Sequence, residues 1–162
     1  SENDIRGLGN DYCFHNLVSG RNSYETIKYL DKMTDLSMGS GILLFKACLK
    51  KNPNFKIVEL LADRSKNHEK TFYITVGSLF NSKLHSNGLL FNANISENDR
   101  LNDNDLKKIT KILCEKFNLN ELNREYFEKN MKWTKNEFDL LNNIYLESKL
   151  KLKEYKVKKI KI

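Results

Sequence analysis

Between Ile42 and Ile95 apolar residues come in four short runs separated by polar breaks. The runs are Ile42–Leu49, Asn54–Leu61, Thr71–Val76 and Gly88–Ile95, and the breaks are Lys50–Pro53, Asp63–Lys70 and Asn81–Asn87. Runs of this length, rich in branched and aromatic residues and bounded by Asn, Pro and Gly, predict strands joined by hairpins. A different period follows. Leu106, Ile109, Ile112, Leu113 and Phe117 stripe one helical face, with Lys107, Lys108 and Lys111 on the other. Together these predict an α+β fold: a small antiparallel sheet of about four or five strands with one main helix packed on it. Upstream, Tyr24, Ile27, Leu30 and Met33 at helical intervals, with Asn22 and Glu25 in capping-box spacing, predict an N-terminal helix.

The ends are less regular. Residues 1–21 contain Gly7, Gly9 and Gly20 and little periodicity, which reads as an arm or loop. Leu122, Tyr126 and Phe127 suggest one more short helix, and residues 136–147 fit either strand or helix. In the last segment Leu150 and Leu152, then Tyr155 and Val157, then Ile160 and Ile162 alternate with slips of one residue between pairs. That pattern favours a strand with bulge-like slips over a helix, on which these residues scatter. The expected organisation is an arm at 1–21, an α+β domain at 22–147 and a basic strand or tail at 148–162.

Several segments look like the WGR domain of poly(ADP-ribose) polymerases. They are Phe45-Lys-Ala-Cys-Leu49, then Asn52-Pro-Asn-Phe-Lys-Ile-Val-Glu-Leu-Leu-Ala-Asp63, then Lys70-Thr-Phe-Tyr-Ile-Thr-Val-Gly-Ser78. Leu106–Phe117 is similar to that family's single long helix, and Arg124-Glu-Tyr-Phe127 and Lys132–Leu141 resemble its closing stretch. The likeness spans roughly residues 42–147. Where the family carries Trp-Gly-Arg, this chain has Val76-Gly77-Ser78, so the two residues that hold a phosphate at a DNA break are missing. The resemblance implies a non-catalytic module of a nuclear protein that binds a DNA or RNA end or junction through phosphate contacts, DNA favoured over RNA, and no ADP-ribose transfer, since nothing matches the catalytic domain. It also implies that Asn54, in the Asn-rich turn, lies near the ligand.

Charge sharpens this expectation. The net charge is +7, but residues 149–161 hold seven lysines against Glu154, a net of +6, which leaves +1 for the rest. A lysine-rich segment neutralises phosphates, or it is the solvated face of an edge strand. Trp133, the only tryptophan, sits among Lys129, Lys132 and Lys135; exposed, it would stack on a base, and buried, it would seal the core. The candidate nucleic-acid contacts are Asn54, Lys83, Lys132, Trp133, Lys135, Lys158, Lys159 and Lys161. The alternative function is protein–protein interaction within a multi-subunit complex.

Other chemistry finds little support. Three widely spaced cysteines, Cys13, Cys48 and Cys114, suggest free thiols in a reducing compartment. Cys13 and His15 have no second ligand pair for zinc, and neither a Ser-His-Asp spacing nor a phosphate-binding glycine loop occurs. Gly7-Leu-Gly-Asn-Asp11 resembles the opening of diaminopimelate epimerases, but those enzymes need two cysteines in glycine-rich loops. A small enzyme built on the Gly7–His15 arm is therefore the weakest reading, and no cofactor is expected. A mean hydropathy of −0.61 and the lack of an apolar run near ~20 residues argue against a membrane helix.

Overall fold

In the computed structural model, which describes residues 24–49, 52–84 and 101–161, the side chains of 38–40 and 81–84 excepted, the described residues form seven helices. They are α1 (Tyr24–Asp31), α2 (Met38–Leu49), α3 (Phe55–Ser65), α4 (Glu69–Leu84), α5 (Asp103–Lys116), α6 (Arg124–Asn130) and α7 (Lys135–Ile160). No strand occurs among the described residues, so the expected α+β sheet is corrected to an all-helical fold. Three of the four expected strands are helices, and the fourth, Gly88–Ile95, lies outside the described residues. The sheet that the WGR resemblance implies is therefore absent among the described residues. Gly77, the one residue kept from the name-giving motif, sits inside α4 against the Met131 side chain.

The reason lies in how these runs are buried. In α2, Leu43, Leu44, Phe45, Ala47 and Cys48 are all buried, because the helix lies against both α3 and α4. In α4, Thr71, Phe72, Tyr73, Thr75, Val76, Leu79 and Phe80 are buried likewise. A helix enclosed on most sides loses its polar face, and its sequence shows the same continuous apolar run as a buried strand. α3 is different: Ile57, Val58, Leu61, Ala62 and Ser65 are buried at helical spacing. There the branched residues and the preceding Pro53 concealed an ordinary amphipathic pattern.

Asparagines set several helix starts. The Asn54 carboxamide oxygen accepts from the backbone N–H of Lys56 (3.1 Å) and Ile57 (3.4 Å), satisfying donors that the first turn leaves unpaired. Asn102 and Asn123 cap α5 and α6 in the same way, accepting from Asp105 N–H at 2.8 Å and Tyr126 N–H at 3.1 Å. At Gly41 the backbone takes a φ of +76°, and a Cβ there would overlap the Thr71 side chain, so the approach of α2 to α4 requires glycine.

α5 is the central helix. It packs on α3, α4 and α7, while α2 bridges α3 and α4, α1 lies on α3, and α6 lies on α4. One aromatic cluster ties the two halves of the chain together. Phe72 meets Phe117 at 5.4 Å, Tyr73 meets Phe127 at 5.4 Å, and Phe127 meets Trp133 at 4.5 Å. On the surface Arg64 holds Asp31 with two nitrogens, at 2.8 and 2.7 Å, and so clips α1 to α3.

Candidate interaction surface

The longest element, α7, has two apolar stripes with different fates. It starts at a complete capping box: Glu137 N–H donates to Thr134 Oγ1 (3.4 Å) and Thr134 N–H to Glu137 Oε2 (3.1 Å). Phe138, Leu141, Ile144, Tyr145 and Ser148 then face the body and are buried. Tyr145 Oη donates to the Leu119 carbonyl at 2.9 Å, and burial raises the Tyr145 phenol pKa. Beyond Ser148 the burial fades: Leu152 is half-buried, and every residue from Lys153 to Lys161 is exposed. The tail expected as a strand is thus the free second half of a 26-residue helix, continuous across the expected boundary at 147.

The second stripe runs along this free half. Leu146, Leu150, Lys153, Val157 and Ile160 are spaced by alternating steps of four and three, which at about 100° per residue places them in one band. That band lies roughly opposite the buried face. Its apolar members are 50%, 59%, 51% and 84% exposed in chain order. A four–three spacing is that of the a and d positions of a coiled coil. On one flank of the seam lie Lys149 and Lys156, and on the other Glu147, Glu154 and Lys161.

The residues expected to bind nucleic acid are scattered over this architecture. Lys132 and Lys135 stand at the start of α7, and Lys158, Lys159 and Lys161 at its end. From Lys135 to Lys159 the helical rise amounts to roughly 36 Å, so these lysines form no single cluster. Lys132 is exposed at a turn with φ +52°. The Lys159 ammonium lies 5.0 Å from the Tyr155 ring centroid. Asn54 sits at the N-terminus of α3, its side-chain oxygen committed to the cap. Lys83 falls within α4, but its side chain is outside the described residues.

Trp133 is buried rather than presented. It is 5% exposed, between Phe80 at 5.0 Å and Phe127 at 4.5 Å, and its backbone N–H donates to the Phe127 carbonyl at 3.1 Å. An indole enclosed in this way offers no face to a base. Sequence reasoning missed Leu146, Leu150, Val157 and Ile160, although their four–seven–three spacing was there to be read.

Compared with family models, curated proteins and solved structures, the chain shows no match. The site must therefore be judged on its own chemistry. Cys48 and Cys114 are buried, and burial raises both thiol pKa values, that of Cys114 to about 12, which holds them as unreactive thiols. No group of three metal-ligating side chains occurs among the described residues, and none of their helices is long and apolar enough to cross a membrane. Cys13, His15 and the Gly7–Asp11 motif lie outside the described residues.

Proposed function

We propose that this chain is a protein-interaction module whose contact surface is the free half of α7. The observation that carries the reading is the exposed band of Leu146, Leu150, Val157 and Ile160 on a helix whose buried face lies on the other side. Single exposed apolar residues are ordinary, but four of them at coiled-coil spacing, with Lys153 between the pairs, are what a partner helix covers. A phosphate backbone needs the lysines of this segment and has no use for the apolar band.

A second reading, nucleic-acid binding, rests on those lysines: seven of them surround the free half and carry nearly all the net charge. A photoreactive benzophenone amino acid at position 146, cross-linked in extract of the native cells, separates the two. The protein reading expects an adduct that protease destroys and nuclease spares. That adduct should vanish in Leu150→Gln/Val157→Gln and survive Lys158→Gln/Lys159→Gln. A nuclease-sensitive adduct that follows the lysines instead would establish the nucleic-acid reading.

A further inference from the structure

Resting on that reading, we infer that the partner is an acidic amphipathic helix, which packs along the seam of Leu146, Leu150, Lys153, Val157 and Ile160 and sets a carboxylate against Lys153. The first support is the interruption of the seam. Lys153 occupies a position where the other four residues are apolar, and it is exposed. A charged residue inside a coiled-coil seam costs stability unless the partner answers it, and it thereby fixes register and partner choice. An aspartate or glutamate on the facing helix supplies that answer; an apolar residue leaves the ammonium desolvated.

The second support is the charge around the seam. Residues 146–161, the span of the seam, carry a net of +5; Lys156 is exposed on one flank, while Lys149 on the same flank is half-buried with its ammonium 5.3 Å from the Tyr145 ring centroid. Glu147 and Glu154 on the other flank favour a few basic residues on that side of an otherwise acidic partner. A second copy of this chain fits poorly. In a parallel pair Lys149 would meet Glu154, but Lys153 would meet itself and Lys156 would meet Lys161, and in either orientation +5 would be brought against +5. Charge complementarity therefore selects an acidic helix of another protein.

The test uses the whole chain and synthetic 21-residue helices at about 150 mM salt, near the cellular value. The probe has Leu at its seam positions, Glu facing Lys153 and along the Lys149/Lys156 flank, and Lys only where it faces Glu147 and Glu154. Its comparators are a Lys-flanked version, a scrambled peptide of the same composition, and a short DNA duplex. Titration calorimetry should show the acidic helix binding at least about tenfold more tightly than each comparator. Leu150→Gln/Val157→Gln should weaken it at least about tenfold with an unchanged melting temperature, and Lys153→Glu should shift preference toward a peptide with Lys at the facing position.

Equal binding of the Lys-flanked helix overturns the acidic partner but leaves a helix-docking module standing. Binding to the duplex alone, unaffected by Leu150→Gln/Val157→Gln, overturns both. Self-association in sedimentation that those substitutions abolish makes a second copy the occupant and overturns the inference, as does failure of every peptide to bind.

Discussion

Replacing Trp133 by alanine should destabilise the protein heavily and leave its secondary structure intact under native conditions. The indole is 5% exposed and touches two rings, Phe80 at 5.0 Å and Phe127 at 4.5 Å. Large-to-small substitution of a buried aromatic residue costs about 3–5 kcal/mol, because transfer energy is lost and a cavity remains. The two ring contacts, at roughly 0.5–1.5 kcal/mol each, place this site toward the upper end. A domain of ordinary stability holds only about 5–15 kcal/mol in total, so the loss is a large fraction of it. With a urea slope of about 2 kcal/mol per molar, the midpoint should fall by roughly 2 M. Far-UV circular dichroism is the suitable probe, since the variant has no tryptophan left to report. In the unmodified chain that single tryptophan should emit at short wavelength and resist aqueous quenchers. A midpoint shift below about 0.3 M would refute the buried position and return Trp133 to the list of candidate contact residues.

Three further outcomes follow from the same structure. Asn54→Ala removes the acceptor of two backbone N–H groups and should cost about 0.5–2 kcal/mol in the same urea experiment, while Asn54→Asp should restore most of it. Tyr73 has its phenol pKa raised from 10.0 to about 12, chiefly by burial; its contribution is complete below pH 10 and is lost as pH rises from 10 to about 12, so Tyr73→Phe should flatten the alkaline fall in stability. Because every residue from Lys153 to Lys161 is exposed, ending the chain after Leu152 should change stability by no more than about 0.5 kcal/mol in a thermal melt; a larger loss would place this segment against the body.

Three of the helices with one wet face were legible in the sequence, α3 being the exception because Pro53 and its branched residues read as a strand. Tyr24–Asp31, Asp103–Lys116 and Arg124–Asn130 fall where the spacing of Ile27, of Leu106 to Leu113 and of Phe127 predicts them. Helices α2 and α4 were not legible, because enclosure on several sides removes the polar residues that mark a helical period. Gly41 adds to this, since a glycine ahead of an apolar run reads as a strand boundary while here it allows α2 to approach Thr71. The α7 tail hid for another reason. Leu152 and Tyr155 fall in line with the buried stripe, and Leu150, Val157 and Ile160 belong to the opposite band. Read as one series, the two stripes mimic a strand that slips register. The lysines were visible at once, but composition does not tell that they stand at opposite ends of one long helix.

The anchoring of α7 has a kinetic consequence for whatever meets its free half. Starting a helix in water is the slow and unfavourable step, since three residues must be fixed before the first hydrogen bond forms, whereas each later residue adds a bond of its own. Here the buried Phe138, Leu141, Ile144 and Tyr145 hold the first turns against the body, Phe138 on the Phe127 ring of α6 and Tyr145 on the Leu119 carbonyl, so the segment beyond Ser148 grows from a nucleus that already exists. Its amides should exchange with solvent by fraying from the Ile160 end, in a gradient that stops at Ser148, while those before it open only with the whole domain. A helix that frays but never has to begin again is ready for encounter at nearly every collision, and most of the ordering entropy of recognition then falls on the partner.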